Sequence, residues 1–478
     1  MVCLLPTLLL STLVLVPATA PRPNIVLVMA DDQGWGDMGY NGHPVLQTPH
    51  FDRAAAAGLK FDRFYAAAPV CSPTRASVLT GRHPNRMGLF QWGFPLRPQE
   101  TTLAEVLRQA GYATAHFGKW HLGSVRRTSP AHPGHNGFQH WLSAPNFFDN
   151  DPILSRQGAA VQLRGESSGV TVDAALQWIE GQCGSAQPFL AVIWFGSPHG
   201  PHRAVAEDRE RYPGLAAKLQ NFYGEVSGMD RAFGRLRQRL AELKIRDDTL
   251  LWYCSDNGAL PGVGSTGGHR GRKGKVYEGG LLVPAFLEWP SRISQSRSVA
   301  VRCNTYDIYP TLLDIAGISV PQQAPLDGIS LKRVIDGSNA PRKQPMGFWN
   351  YPIRGIRTPS AEWMSDLLQA QQAGGDLSPH ASSQRAAELP DPPYPVDLFT
   401  GHAAWIAEDW KLHRITSADQ RTRWQLYNLA RDPAEKKNLL MGEQPRFAQL
   451  RQGLESWLQS VVHSLNGRDY RPSASATD

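Results

Sequence analysis

Cysteine is scarce in this chain, with five in 478 residues. That excludes a scaffold held together by disulfides, and a chain of this length can bury its core without them. Once Cys3 leaves with the N-terminal segment, Cys71, Cys183, Cys254 and Cys303 remain. A special role for Cys71 leaves an odd number, so at least one thiol stays unpaired. A second long apolar run is also missing. The only one, MVCLLPTLLLSTLVLVPATA, lacks Lys and Arg and ends in Ala18-Thr19-Ala20. It reads as a signal peptide (1–20) cut after Ala20 rather than as a retained anchor, so the expectation is a periplasmic or extracellular protein without stable membrane insertion. No asparagine sits in an Asn-x-Ser/Thr site, which argues against a glycosylated animal protein and for a bacterial exported one. No internal repeat and no nucleic-acid motif occurs. The formal charge of +7 is scattered, which excludes nucleic acid as a partner and remains compatible with an anionic substrate.

Several short apolar runs are present, each closed by polar or charged residues. NIVLVMA (24–30) leads to Asp31-Asp32, and YATAHF (112–117) to Gly118-Lys119-Trp120-His121. PFLAVIWF (188–195) leads to Gly196-Ser197-Pro198-His199, and TLLWYC (249–254) to Ser255-Asp256-Asn257-Gly258. Such runs predict buried parallel strands, and in open α/β sheets ligands bind at the carboxyl ends of the strands. TLAEVLRQAG (102–111) predicts a helix closed by glycine, and 224–243 an amphipathic helix with a solvated basic face. Residues 358–395 are rich in Ser, Pro, Ala and Gln and predict an excursion or lid. Residues 401–415 and 423–440 predict strands and turns followed by a helix. The expected organisation is a catalytic domain over 21–345, a smaller C-terminal α+β subdomain over 346–470 and a frayed tail at 471–478.

The chemistry concentrates at those strand ends. Asp31, Asp32, Asp256 and Asn257 offer oxygen ligands only, a set suited to Ca²⁺ and less well to Mg²⁺, although either pair alone could cap a helix or turn. Arg75, Lys119 and Lys273, with His121 and His199, bring positive charge from separate segments. The loop GGHRGRKGKVYEGG (267–280) is both basic and rich in glycine. A divalent metal among fixed cations makes a trap for a tetrahedral oxyanion ester, sulfate or phosphate. Cys71 precedes SPTRASVLTG, which predicts a helix with Ser72 as N-cap and Pro73 at its first position. Positive potential there favours an anion, yet a thiolate is a poor partner for a hard cation. The residues alone leave the chemical form of this nucleophile open.

CSPTRASVLTGRHPNRMG (71–88) resembles the signature of the type I, formylglycine-dependent sulfatases, members of the alkaline-phosphatase-like superfamily. GYATAHFGKWHLG (111–123), MADDQGWGDMGYNG (29–42), SDNG (255–258), KGKVYEGG (273–280) and LYNLARDPAEKKNL (426–439) are similar to further elements of that family, in the same order. The resemblance implies a large α/β domain with a mostly parallel sheet flanked by helices, and a smaller domain with an antiparallel sheet. It implies that a formylglycine-generating or anaerobic sulfatase-maturating enzyme converts Cys71 to formylglycine (3-oxoalanine), read through Pro73 and Arg75. Asp31, Asp32, Asp256, Asn257 and the converted residue 71 would hold Ca²⁺. A hydrate oxygen would attack sulfur, Arg75, Lys119 and Lys273 would stabilise charge, and His199 would protonate the departing alcohol. His121 would then take a proton so that sulfate leaves by elimination.

Leu281-Leu282 stand where the family has a basic residue before Val-Pro, which touches only the surroundings of the site. His202, His269 and Arg270 are candidate substrate contacts, and Asp149-Asn150-Asp151 reads as a turn. The implied activity is removal of O-sulfate from a sulfated carbohydrate. The alternatives are a formylglycine-dependent phosphodiester or phosphonate monoester hydrolase and an inactive glycan-binding relative.

Overall fold

The computed structural model describes residues 22–321, 323–374 and 387–470. The expected signal peptide, the tail at 471–478 and the middle of the 358–395 segment lie outside the described residues. A ten-stranded sheet organises the larger part of the chain. Its centre is parallel: Thr249–Ser255, Asn24–Ala30, Phe189–Trp194, Ala113–Lys119 and His140–Ala144 lie side by side. Antiparallel strands extend both edges, Ala285–Glu288 on one side and Ile153–Arg156 on the other.

The four apolar runs form strands because both of their faces are covered, which leaves no polar face to alternate with. In Asn24–Ala30, the side chains of Ile25, Leu27 and Met29 enter one core while Val26, Val28 and Ala30 enter the other. The first core receives Cys71–Thr80, Leu103–Gln109 and Ile308–Ile315, and the second receives Pro49–Ala57, Ser167–Gln182 and Ala217–Glu242. The Leu103–Gln109 helix opens with a capping box between Thr102 and Glu105. This pair satisfies amide groups that the first turn would leave without partners.

Three local expectations change. Helix Cys71–Thr80 begins at Cys71, with Val70 as N-cap, so Pro73 falls inside the first turn. The Ser72 hydroxyl does not cap it; it accepts from the Gly93 amide at 2.8 Å. The 217–242 helix is also less solvated than its basic face implied. Phe222 through Asp230 are all buried, and Asp230 accepts from the amides of His50 and Phe51, capping the Pro49–Ala57 helix. Finally, the 358–395 stretch is not all excursion. Ser360–Gln372 is helical and sends Met364 and Leu367 into the first core. Polar composition hid an amphipathic face with few apolar residues, which the neighbouring Ile153–Arg156 and Ala159–Gln162 strands cover.

Downstream, Met346–Asn350, Gly401–Ala407, Trp410–Thr416 and Thr422–Asn428 form a four-stranded antiparallel sheet. One face buries Phe348, Ala404 and Ile406 against Val276 and against Tyr65 and Leu282, which belong to a small three-stranded sheet of Leu282–Val283, Phe64–Tyr65 and Cys303–Asn304. The other packs Leu412 and Leu426 under helix Gln444–Leu465 through Leu454 and Leu458. All four described cysteines, Cys71, Cys183, Cys254 and Cys303, are free thiols.

Two histidines away from the sheet rim are buried neutral. Burial pushes His83 down to about 3 and His116 well below the usual imidazole range. His116 sits among Trp120, Phe138 and Trp194 with Nδ1 beside the Ser143 hydroxyl. The unfolded chain binds these protons near pH 6.5, whereas the folded chain refuses them. Their contribution is therefore complete above that pH and is lost as pH falls toward the folded values, by about 1.4 kcal/mol per pH unit for each histidine. Urea unfolding between pH 7.5 and 5 should show this decline, and His83→Gln should make it shallower.

Candidate active site at the carboxyl edge of the sheet

Most of the functional side chains arrive at the end of a buried strand or the start of a buried helix, and Lys273 comes from the 267–280 loop. Asp31 and Asp32 follow Asn24–Ala30, Lys119 ends Ala113–Lys119, and Asp256 and Asn257 follow Thr249–Ser255. Strand register brings Ala30 opposite Ser255, which sets the two acidic pairs side by side. The Asp32 amide donates to Asp256 Oδ1 at 3.0 Å, and Asn257 Nδ2 donates to Asp32 Oδ1 at 2.8 Å. Asp32 adopts a left-handed backbone, φ 70°, a conformation that costs a non-glycine residue energy and is held by its surroundings.

Three cations meet these carboxylates. Lys119 Nζ donates to Asp31 Oδ2 at 2.5 Å and Lys273 Nζ to Asp32 at 2.6 Å. Arg75 donates through Nε and a terminal nitrogen to Asp256 Oδ2 at 3.0 and 2.6 Å, and through the other terminal nitrogen to the Lys119 carbonyl. Its guanidinium lies 5.2 Å from the Trp194 ring centroid. Asp31, Asp32, Arg75, Lys119, Asp256 and Asn257 have no exposed surface. Charges so buried persist only when paired, because stripping water from an isolated ion costs far more than folding can supply. Burial opposes ionisation of Asp32, but Lys273, His199 and Lys119 outweigh it and hold its carboxyl well below the usual range. Asp256 goes the other way: burial and the neighbouring Asp31 raise it despite Arg75.

Cys71 lies at the focus. Its sulfur and single oxygens of Asp31 and Asp256 all fall within 4.8 Å of one another. Burial pushes the thiol pKa up, against the pull of Lys119 and Lys273, so the free thiol is protonated and weakly nucleophilic. His121 and His199 flank the centre. His121 is buried in a left-handed conformation, φ 55°, with neither ring nitrogen engaged. Burial, Lys119 and Arg75 hold it neutral. His199 Nδ1 donates to the Gly200 carbonyl at 2.6 Å, which leaves Nε2 facing Asp32 Oδ2 at 3.6 Å. Its side chain is 28 % exposed, against none for the carboxylates, and stands at the mouth. Burial and the two lysines hold it down to about 3, against the pull of Asp32.

The donor set fits a hard divalent cation. Asp31 Oδ1 and Asn257 Oδ1 are buried with no hydrogen-bond partner among the described residues, a costly state that a cation would relieve. Three carboxylates balance three cations here, so two further positive charges would leave a surplus suited to an anionic ester.

The other candidates lie elsewhere. His202 Nδ1 is 3.3 Å from Glu225, which also accepts from the Arg203 amide. His269 packs edge-on to Trp35 with Nδ1 donating to the Pro433 carbonyl, and Arg270 stacks over Tyr277 while donating to the Tyr427 hydroxyl and the Glu435 carbonyl. Both therefore engage the 427–435 segment. Asp149 accepts from the neighbouring Asn150 amide, whereas Asn150 and Asp151 accept from the distant Ser167 and Gly165 amides and so tie this segment to the start of the Ser167–Gln182 helix. The sequence reading missed Phe147, whose ring lies 5.2 Å from that of His199, and Trp194, which was read only as part of an apolar run. It also missed Asn350, whose amide donates to the Gly274 carbonyl and steadies the lysine-bearing loop. The paired aromatics beside Asn146 were the one available signal.

Fold and site together define a hydrolase of the alkaline-phosphatase-like class. The Sulfatase family model matches residues 23–318. N-acetylgalactosamine-6-sulfatase of Canis lupus familiaris is 32% identical over 369 residues, 68% of each chain. Arylsulfatase A of Homo sapiens is 31% identical over 475 residues, 89% of this chain and 85% of that one. This chain belongs to the sulfatase family, and it is an enzyme that hydrolyses sulfate esters. Among solved structures, Ps i-CgsB in complex with k-i-k-neocarrahexaose shares the fold at TM-score 0.76 and 22% identity, covering 93% of this chain and 98% of that one. A phosphonate monoester hydrolase of Agrobacterium radiobacter shares it at 0.59 and 21% identity, covering 93% and 96%. With sulfatases supplying the family and the sequence relatives, the phosphodiester or phosphonate alternative is not favoured.

Gly118 tests how tightly the rim is built. It has φ 92°, and a Cβ there would lie 2.0 Å from the Trp194 carbonyl. Gly118→Ala should lose at least about 2 kcal/mol of stability in chemical denaturation and displace Lys119, lowering kcat on an aryl sulfate.

Proposed function

We propose that this sulfatase removes O-sulfate from a sulfated carbohydrate, with Cys71 converted to formylglycine by a formylglycine-generating or anaerobic sulfatase-maturating enzyme and Ca²⁺ held by Asp31, Asp32, Asp256 and Asn257. The observation that carries this reading is a buried thiol whose sulfur lies within 4.8 Å of carboxylate oxygens of Asp31 and Asp256, in the field of Lys119 and Lys273. As a thiol it is a weak nucleophile and a poor ligand for a hard ion, and both defects disappear when sulfur is replaced by oxygen. Formed and hydrated, formylglycine supplies an oxygen nucleophile and a second hydroxyl that allows sulfate to leave by elimination. Ca²⁺ held by these residues would supply positive charge and Lewis acidity to the site; Mg²⁺ suits the set less well because it demands stricter octahedral geometry.

The remaining work falls to the chain's own side chains. Arg75, Lys119 and Lys273 receive the sulfate oxygens in a site already dry and already charged, so little reorganisation is needed as charge develops. His199, with Nδ1 committed to Gly200, presents Nε2 as the acid for the leaving alcohol. An anionic ester raises its proton affinity from the depressed value of the free protein. His121, neutral and unengaged, is the base beside position 71. Of the substrate-contact candidates, His202 follows His199 by three residues in the chain and is braced by Glu225, while His269 and Arg270 hold the lysine loop against the C-terminal sheet. The scattered basic charge and the relatives named N-acetylgalactosamine-6-sulfatase support a sulfated sugar as substrate. Export through a signal peptide at 1–20, and a division into 21–345 and 346–470, belong to the same reading. Among the described residues no helix is long and apolar enough to cross a membrane.

Mass spectrometry of the Cys71 peptide from active enzyme should show sulfur exchanged for oxygen with loss of two hydrogens; activity with an intact thiol would overturn the reading. Cys71→Ser should complete a single turnover at most and accumulate as its sulfate ester. His199→Ala should lower kcat by about 10²–10⁴-fold on alkyl or sugar sulfates, and by much less on an aryl sulfate whose leaving group needs no proton.

A further inference from the structure

Beside the lysine loop runs an open groove of about 580 Å³ that the catalytic reading does not use. Gly274, Lys275, Asn350, His402, Arg421 and Arg423 line it, and no carboxylate does. Lys275 and Arg423 are exposed, and neither has a carboxylate partner among the described residues. Arg421 alone is paired, with exposed Asp419 at 2.6 Å. The volume lies within the roughly 300–1,000 Å³ usual for ligand sites. Unpaired cations around an apolar ligand gain nothing, whereas an anion there meets no carboxylate in the lining, the one nearby being Asp419, already paired with Arg421.

The groove adjoins the reaction centre by direct bonds. Gly274 follows Lys273, and its amide donates to the Pro69 carbonyl at 2.8 Å, two residues before Cys71. Its carbonyl accepts from Asn350 Nδ2 at 3.0 Å, and Asn350 Oδ1 accepts from Gln91 at 2.7 Å. The Gln91 loop in turn reaches Ser72 through the Gly93 amide. One wall therefore separates the catalytic lysine from the groove, and that wall is held at both ends.

We propose that this groove is an anion-binding subsite for a second charged sugar of an oligosaccharide whose neighbouring residue carries the scissile sulfate. The proposal rests on the carbohydrate reading above and narrows it to substrates with more than one anionic group. Long flexible Lys and Arg stems around an open channel suit repeated, loosely spaced anions rather than one compact ion. Specificity for chain length then resides in Lys275 and Arg423, not in the catalytic cations.

The test uses the full chain with Cys71→Ala, which binds without turnover. Calorimetric titration with a short dextran sulfate is compared with the same protein also carrying Lys275→Ala and Arg423→Ala. Kd should rise about tenfold with a flatter salt dependence, inorganic sulfate should bind both proteins equally, and unsulfated dextran should bind neither. In the Cys71-containing enzyme the same two substitutions should leave kcat/KM for p-nitrophenyl sulfate unchanged. Equal dextran sulfate affinity in both proteins overturns the proposal, as does a parallel loss for inorganic sulfate or p-nitrophenyl sulfate. An enzyme that cleaves p-nitrophenyl sulfate and binds dextran sulfate through these residues, yet releases sulfate from no sugar in a defined panel, overturns the carbohydrate reading while the groove stands.

Discussion

Three carboxylates and three cations packed together at one edge of a sheet, all but the half-buried Lys273 sealed from solvent, are the constraint on which this molecule depends. None of Asp31, Asp32, Asp256, Arg75 or Lys119 touches solvent. Each would be prohibitively costly alone. Their mutual pairing makes the cluster tolerable, and the pairing needs positions fixed to within a hydrogen bond. The parallel strands provide that precision, since register between Asn24–Ala30 and Thr249–Ser255 sets the acidic pairs adjacent.

The surrounding architecture reads as support for this cluster. Trp194 backs the Arg75 guanidinium, Gly118 lets the lysine strand pass close to the Trp194 carbonyl, and Asn350 steadies the loop that delivers Lys273. The C-terminal sheet contributes a second buried polar network. Lys411 bridges Glu278 and Glu435, and Glu435 accepts from both His413 and the Glu278 amide. That network fastens the C-terminal end of the basic loop, so the smaller sheet shapes the site although it supplies none of the proposed catalytic side chains. The antiparallel pairing beneath it leaves Arg421 and Arg423 at the groove's outer wall.

The same design explains why the thiol is inert as it stands. Lysines close by would ordinarily favour a thiolate, yet burial outweighs them. Asp31 Oδ1 and Asn257 Oδ1, buried with no hydrogen-bond partner among the described residues, are the oxygens a hard cation would use, and sulfur would suit such an ion poorly. Sulfate ester hydrolysis by this family member thus rests on electrostatics assembled before substrate arrives.

How much of this was legible beforehand follows from range. Strand runs with two buried faces and the six family-like segments could be read locally, so the fold class and the members of the cluster came from sequence, although Gly118 and Lys119 extend the strand rather than form the turn after it. Tertiary structure decided what depends on distant partners. Ser72 proved to serve the Gly93 amide and not the helix it precedes, because a hydroxyl takes whichever donor the fold brings near. Arg270 turned toward Tyr427 and Glu435, and Met364 and Leu367 found the core from a stretch whose composition read as solvated. Pattern along a chain records which faces are apolar and which residues carry charge; which charge meets which is a property of packing, and only the folded arrangement contains it.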